Sequence, residues 1–458
     1  MLDERRWELL IRSLTLASSG AVLALVFGFL AAFFIWCRKR PVRFSAMLLF
    51  ALPLSPMMYI YALEYLYWLF SLKVPSYFSV VLTYALQLMP LNALAIYNGF
   101  LAVSASEIDA ARVLRSDIVC LFQIVLRRNL PLMLMLGLFS AVMNLLDYSI
   151  PSLFGVPVYS LDIFATFSAT GNVLGVAVQS VPIFLFSLAI FIVLFMQLKS
   201  VWAVNPQGNR GRCLSESKNT ATAVMEAVGG FVWLLPLIAV ISAVVPFFTS
   251  RHAFTTAILT SFSELQYSLL ICAAAAVFGT AMAAVFCVLK GALIPFALAF
   301  AAMPPALIGI GLLYTISPLR IFDGILPVIA LVLRFFPFAA IIMYISKRME
   351  SKEERWAASL FSESKTDWLL RYKIPVTLPP LLISATVIFV LSLGELGATL
   401  LVIPPGTTTL TIKLYNYLHY GSGAAVSGLT FMLGVLTALI TAAAWGLRNL
   451  YFKRGKHD

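Results

Sequence analysis

The sequence is poor in charged residues, which make up 11% of its 458 residues, whereas soluble proteins carry about 25%. Hydrophobic residues make up 61%, more than a water-soluble globule can cover with a polar surface. This composition excludes a soluble protein. The apolar runs reach about 20 residues or more, which excludes an outer-membrane barrel built from alternating strands. The chain is therefore predicted to be an all-α protein that crosses the membrane many times.

Motifs for metal binding and ATP hydrolysis are also missing. Five cysteines without paired spacing and three scattered histidines indicate neither a disulfide framework nor a metal cluster. The phosphate-binding pattern GxxxxGK[ST] does not occur, and the only Gly-Lys pair, Gly455-Lys456, is followed by a histidine. No cofactor or catalytic residue is predicted, and any ATP hydrolysis would have to come from another polypeptide.

Hydropathy predicts eleven spans, which set the orientation of the chain. They lie approximately at residues 13–36, 44–71, 77–103, 130–152, 174–198, 224–248, 266–289, 291–314, 323–346, 379–402 and 424–447. With the 38–43 loop in the cytoplasm, 24 of the 32 basic residues fall on the cytoplasmic side. This asymmetry predicts an N-terminus outside, a retained first span and a cytoplasmic C-terminus. The net charge of +12 thus marks orientation and not nucleic-acid binding.

The second part of the chain repeats features of the first at an offset of 247 residues. Pro90 aligns with Pro337, and DAARVLRS at 109–116 aligns with WAASLFSE at 356–363. The match predicts two related, parallel halves, the first without a counterpart of the helix at Met225–Phe248. The predicted parts are a first half at 1–204 with a cytoplasmic stretch at 104–130, a linker at 205–222, and a second half at 223–458 with a cytoplasmic stretch at 347–378.

The two cytoplasmic stretches resemble the coupling loop of binding-protein-dependent ABC importer permeases. That loop has the consensus Glu-Ala-Ala, three residues, Gly, nine residues and Ile-x-Leu-Pro. In the second half the matching positions are Trp356, Ala357, Ala358, Ser362 and Pro375, with Trp in the Glu slot and Ser in the Gly slot. In the first half they are Asp109, Ala110, Ala111, Arg115 in the Gly slot and Arg128 in the Pro slot.

The resemblance implies a permease fold and a translocation subunit in a bacterial inner membrane. Two copies of a cytoplasmic ATPase would bind the two loops, and a periplasmic binding protein would deliver the solute. Two fused halves are similar to the ferric-iron and thiamine importers of this superfamily, and the GELGAT stretch at 394–399 is similar to molybdate and sulfate permeases. The resemblance therefore implies ferric iron or a similar small ion as the solute, with thiamine or an oxyanion as alternatives.

Ionisable residues inside spans are costly, so they are candidates for the translocation path. Asp147 and Glu395 hold near-equivalent positions in the two halves, and Gly394 and Gly397 flank the latter. Paired carboxylates suit a hard cation such as ferric iron; alternatively, they hydrogen-bond to neighbouring helices or loop backbone. Arg334 either faces an aqueous path, neutralises a carboxylate or has a structural partner.

A secondary transporter driven by an ion gradient is the alternative from another class. It would use inverted repeats and carboxylates near the midplane of the membrane. The two coupling-type loops fall on the same side of the membrane, which favours parallel repeats. A membrane-embedded enzyme would need a catalytic cluster, and the sequence indicates none.

Overall fold

The computed structural model describes residues 4–38, 40–52, 54–114, 117–201, 220–288, 294–316, 324–362, 364–420 and 423–454. Helix makes up 88% of the structure, and the described residues contain no strand. The helices are α1 Glu4–Trp36, α2 Pro41–Ala51, α3 Pro56–Leu69, α4 Ser76–Leu101, α5 Ala105–Leu114, α6 Asp117–Cys120, α7 Arg127–Leu146, α8 Ser149–Leu153, α9 Tyr159–Thr170, α10 Val173–Val201, α11 Thr220–Thr249, α12 Arg251–Leu259, α13 Phe262–Val288, α14 Ile294–Ala302, α15 Pro305–Thr315, α16 Leu326–Met349, α17 Lys352–Phe361, α18 Lys365–Trp368, α19 Ile374–Leu393, α20 Thr399–Val402, α21 Leu410–Tyr420 and α22 Gly423–Arg454. The π-helical segments Leu121–Leu126 and Leu369–Lys373 lead into α7 and α19.

Nine helices in the described part of the chain are long and apolar enough to cross a membrane, and two bent helix pairs raise the number to eleven. This confirms the prediction of a polytopic all-α membrane protein. The bent pairs are α2 with α3 and α14 with α15, the second bent by 103°. The predicted continuous spans at 44–71 and 291–314 are thus broken. Pro56 and Pro305 begin the second member of each pair, because proline fits the first turn of a helix but not its interior.

The chain divides into two compact units. Unit 1 contains residues 1–260 and 414–434, and unit 2 contains residues 261–413 and 435–458. This division follows packing, whereas the predicted halves at 1–204 and 223–458 concern duplication and stay a prediction. Residues 205–219 of the predicted linker lie outside the described residues.

In unit 1, α1 is the central helix and packs along α4, α7 and α11. Close approach depends on glycine: a Cβ at Gly28 would lie 2.6 Å from the Cβ of Asn92. At one end of α1, Phe34 and Trp36 pack with Phe100 and Trp233 in an aromatic core. α11 therefore belongs to unit 1, although it follows the predicted linker.

Unit 2 is built in a similar manner around α13, which packs along α16 and α19. A Cβ at Gly279 would lie 2.9 Å from the side chain of Ile388, so α13 and α19 also approach closely. Phe286 and Phe336 join α13 to α16 with ring centroids 5.1 Å apart.

The helix order of α1 to α10 recurs in α13 to α22, which leaves α11 and α12 without counterparts. The bounds of α5 and α17 differ by 247 residues at both ends, as do those of α7 and α19. The π-helical segments before α7 and α19 end at this offset, and their first residues, Leu121 and Leu369, differ by 248 residues. The offset found in the sequence is thus repeated in the local structure.

Candidate functional site

The second predicted coupling segment, from α17 to the π-helical segment Leu369–Lys373, begins where Ser351 caps α17. Its Oγ accepts the N–H of Glu354 at 3.2 Å and donates to Glu353 Oε2 at 2.8 Å. The hydrogen bond from Ser351 lowers the pKa of the Glu353 carboxyl, which keeps a negative charge in the first turn, where it is favourable. The sequence Ser351-Lys-Glu-Glu therefore fixes the start of α17.

No residue of α17 is buried, although the helix carries large apolar side chains. Trp356, Leu360 and Phe361 are 69%, 77% and 86% exposed. Ala357 and Ala358 are half-buried, and the helix ends at Ser362, whose Oγ donates to the carbonyl oxygen of Ala358. The segment thus presents an apolar face that is exposed in the part of the chain that the structure describes.

Glu350, just before α17, contacts the π-helical segment that leads into α19. The Glu350 carboxylate, with a side chain only 7% exposed, accepts the Tyr372 hydroxyl at 3.0 Å and lies 3.8 Å from Lys373 Nζ. Pro375 is the second residue of α19 and lies within the continuous helix Lys365–Leu393. Trp356 lies on α17, the exposed helix that precedes it.

In the first predicted coupling segment, an ion pair joins α5 to the start of α7. Arg128, in the slot of the consensus proline, forms a bidentate ion pair with Glu107 of α5 at 3.0 and 2.9 Å. Ile108 is buried on the aromatic core of unit 1, while Asp109 and Ala110 are exposed. Ala111 lies in α5, and Arg115 lies outside the described residues.

Asp147 lies directly after α7 and caps the short helix α8. Its Oδ1 accepts the backbone N–H and hydroxyl of Ser149 at 3.2 and 2.6 Å, and its Oδ2 accepts the N–H of Ile150 at 3.1 Å. Ser152 of α8 shares a 2.9 Å hydrogen bond with Tyr415. Because Ser152 donates its proton to the Ser149 carbonyl, Tyr415 is the donor to Ser152.

Glu395 has the equivalent place after α19. Its Oε1 accepts the N–H of Ala398 at 2.9 Å, at the start of α20. Gly394 directly follows the last residue of α19. Gly397, which stands between Glu395 and Ala398 in the sequence, is buried. Both predicted path carboxylates thus bind backbone donors that the break after a span would leave unsatisfied.

Arg334 is 6% exposed and lies in α16 of unit 2. Its Nη1 donates to the carbonyl oxygens of Met303 at 3.1 Å and Ala301 at 3.5 Å, where α14 breaks from α15. A guanidinium at this position satisfies carbonyls at the C-terminal end of α14 and complements its dipole. The structure therefore gives Arg334 a structural partner in the broken span.

Substitution of the two carboxylates is expected to affect stability according to the number of capping bonds that each variant loses. Asp147→Ala removes all three acceptor contacts and is expected to cost about 1–2 kcal/mol. Glu395→Gln keeps an amide oxygen that can accept from Ala398, so its melting temperature in detergent is expected to stay near that of the wild type. If Asp147→Ala abolished transport without lowering the melting temperature, a capping role would be refuted.

Sequence reasoning missed the contacts that depend on distant parts of the chain. The Glu107–Arg128 pair and the Ser152–Tyr415 bond join residues 21 and 263 positions apart. Neither pair has a local spacing that could have indicated it. A partial signal was the position of Arg128 itself, since a charge in a proline slot at the start of a span calls for a partner.

These features define a multi-pass, all-α membrane protein with two similarly built peripheral helix segments. No protein-family model matches the chain. Over 147 residues it is 29% identical to a protein of Salmonella typhimurium whose name assigns it provisionally to a 2-aminoethylphosphonate transport system, as the permease PhnV. Proteins of the same name from Salmonella choleraesuis and Salmonella paratyphi A match equally, over 30% of this chain and 54% of theirs. The chain thus spans about half the length of the curated relatives that it matches.

Proposed function

We propose that this protein is the translocation subunit of an ATP-driven importer. The observation that supports this most is the pair of coupling segments, α5 and α17 at an offset of 247 residues, each followed along the chain by a π-helical segment. A connecting loop has no need of such a repeat, whereas a pair of identical partner subunits has. The similarity to a transport permease supports the same role.

In this proposal the partners have separate tasks. Two copies of a cytoplasmic ATPase bind the coupling segments, and a binding protein delivers solute at the opposite side of the membrane. The N-terminus lies outside and the C-terminus in the cytoplasm, as the basic residues indicate. A gradient-driven transporter would leave the exposed face of Trp356, Leu360 and Phe361 without a function.

For the substrate we propose an oxyanion of the phosphonate type instead of ferric iron. The iron hypothesis came from the likeness of two fused halves to ferric-iron importers and from Asp147 and Glu395 as candidate cation ligands, and both carboxylates accept backbone N–H groups at helix starts. The relatives' name refers to a phosphonate. Radiolabelled uptake that a phosphonate competes away and ferric citrate does not is the expected result, and the reverse competition would restore the iron hypothesis.

The coupling role is tested by Ala358→Trp. The half-buried Ala358 permits close approach of a partner to α17, so the large side chain is expected to reduce co-purification of the ATPase at least about tenfold, as steric overpacking of one contact does. ATP-dependent uptake in proteoliposomes should fall in parallel. Lys352→Ala, at the exposed start of the same helix, serves as the control and should retain both.

Two results would refute this role. One is wild-type ATPase association in Ala358→Trp with an unchanged melting temperature. The other is uptake that continues without any ATPase and stops when the ion gradient is collapsed. The second result would favour the secondary transporter.

A further inference from the structure

The two units attach equivalent helices by the same uncharged contacts. In unit 1, Ser13 of α1 accepts the N–H of Tyr159, the first residue of α9, at 2.8 Å. In unit 2, Ser268 of α13 accepts the N–H of Leu410, the first residue of α21, also at 2.8 Å. These hydrogen bonds fix each helix start, but they cannot distinguish α9 from α21.

The next residues repeat the pattern. Ser160, the second residue of α9, donates to the carbonyl oxygen of Leu145 at the end of α7. Thr411, the second residue of α21, donates to that of Leu393 at the end of α19. Both hydroxyls satisfy carbonyls that a helix end leaves open. The match establishes the register of α9 against α21 residue by residue.

Charge breaks this equivalence at the fourth residue of each helix. In α9 this residue is Asp162, and its carboxylate lies 3.5 Å from Arg5 and 3.9 Å from Arg6 of α1. In α21 it is Lys413, whose Nζ lies 2.8 Å from Glu264 of α13. The same helix pair thus carries opposite polarity in the two units.

The ion pair of unit 2 lies in partly desolvated surroundings, whereas in unit 1 only Asp162 does, since the side chains of Arg5 and Arg6 are 78% and 36% exposed. The Asp162 side chain is 14% exposed, and those of Lys413 and Glu264 are 15% and 16% exposed. Screening by water and salt is weaker there than at an open surface. Lys413 also lies in the first turn of α21, where the helix dipole disfavours a cation, so α21 by itself does not explain a lysine at this position.

We infer that the opposed charges are a pairing code that keeps the duplicated helices with their own partners. In a chain with two copies of one helix pair, α9 could bind to α13 through the same serine contact. That pairing would bring Asp162 against Glu264, and α21 on α1 would bring Lys413 against Arg5 and Arg6. Specificity between similar partners requires such repulsion in the wrong pairing, in addition to attraction in the right one. The inference does not depend on the proposed transport function.

The test removes the difference in charge polarity between the two units while keeping an attractive ion pair in each. The double variant Glu264→Arg with Lys413→Glu, which we call the code-erased variant, gives unit 2 the polarity of unit 1, so each native pair stays attractive and no wrong pairing is repelled. If the charges only stabilise their own units, this variant should fold like the wild type. If they are a code, we expect a wrongly paired population that is absent from the wild type.

Disulfide trapping measures that population in the full chain within membranes. The reporter is Tyr159→Cys with Ser268→Cys, in a background with the five native cysteines replaced by alanine. We expect the α9–α13 cross-link to increase at least about tenfold in the code-erased variant, as removal of a like-charge contact predicts. Lys413→Arg, which conserves polarity, serves as the matched control and should leave the cross-link at its background level.

A compensating variant keeps the inference falsifiable if the code-erased protein is poorly folded. Adding Arg5→Glu, Arg6→Glu and Asp162→Lys reverses unit 1 as well and restores opposed polarity in mirrored form. The yield of monodisperse protein should recover, and the cross-link should return to background. An unchanged cross-link in the code-erased variant, or no recovery in the mirrored one, would overturn the pairing code.

Discussion

Replacement of Gly229 by alanine is expected to lower the free energy of unfolding by about 3 kcal/mol, at the upper end of what overpacking costs. A Cβ at this position would overlap the backbone carbonyl oxygen of Leu30, and a backbone group cannot rotate away as a side chain can. α11 would therefore have to move off α1. That movement would weaken the 3.2 Å hydrogen bond from Trp233 Nε1 to the Phe44 carbonyl and the 3.2 Å ion pair between Arg38 and Glu226.

The measurement is the melting temperature of purified protein, together with the fraction that is monodisperse in detergent. Gly311→Ala is the matched control, since Gly311 also lies in an apolar helix and a Cβ there meets nothing within 4 Å. This control is expected to be neutral or stabilising by up to about 1 kcal/mol, because alanine favours helix over glycine. Equal melting temperatures for the two variants would show that α11 is not held at Gly229.

The sequence predicted α11 as a helix but did not predict that it packs in unit 1. The helix at Met225–Phe248 was predicted correctly from hydropathy, because the length of an apolar run is a local property. Its partner was not predictable, because the fit of Gly229 against Leu30 joins residues that lie far apart along the chain. The breaks at Pro56 and Pro305 were missed, since hydropathy predicted continuous spans at 44–71 and 291–314 and reports only how apolar a run is.

Some features of the candidate site could likewise be predicted from the sequence, and others could not. The two predicted coupling segments were found from the spacing of their residues and from the resemblance that this spacing carries, and their role stays a prediction. Both signals lie in short stretches of the chain, so the sequence alone could provide them. The use of Asp147 and Glu395 was open in the sequence; in the structure each carboxylate accepts an N–H group two or three residues away, and their place in the translocation path stays a prediction. A carboxylate placed directly after a span and before a short helix is thus a capping signal, and this placement favours a helix cap over a path ligand.

The second large effect is expected for Arg334→Met. This variant should lower the free energy of unfolding by about 2–4 kcal/mol, because it removes hydrogen bonds made by a charged donor. Methionine fills a similar volume, so the loss isolates the bonds to Met303 and Ala301 at the break between α14 and α15. Arg334→Lys should recover part of the stability, because its ammonium keeps the positive charge near both carbonyls but is more strongly hydrated than a guanidinium and so loses more on burial.

Gln87 provides the matched control for Arg334. It occupies the corresponding position of α4 at the offset of 247 residues and is half-buried. The break that α4 faces, between α2 and α3, is capped by Ser55, which accepts the N–H of Met57. Gln87→Met should therefore leave the melting temperature nearly unchanged. A translocation role for Arg334 predicts the opposite pattern, in which Arg334→Met abolishes uptake at wild-type stability and lysine does not restore it. The two roles thus separate on stability measured before any transport assay, since a capping residue must show its effect in the isolated subunit.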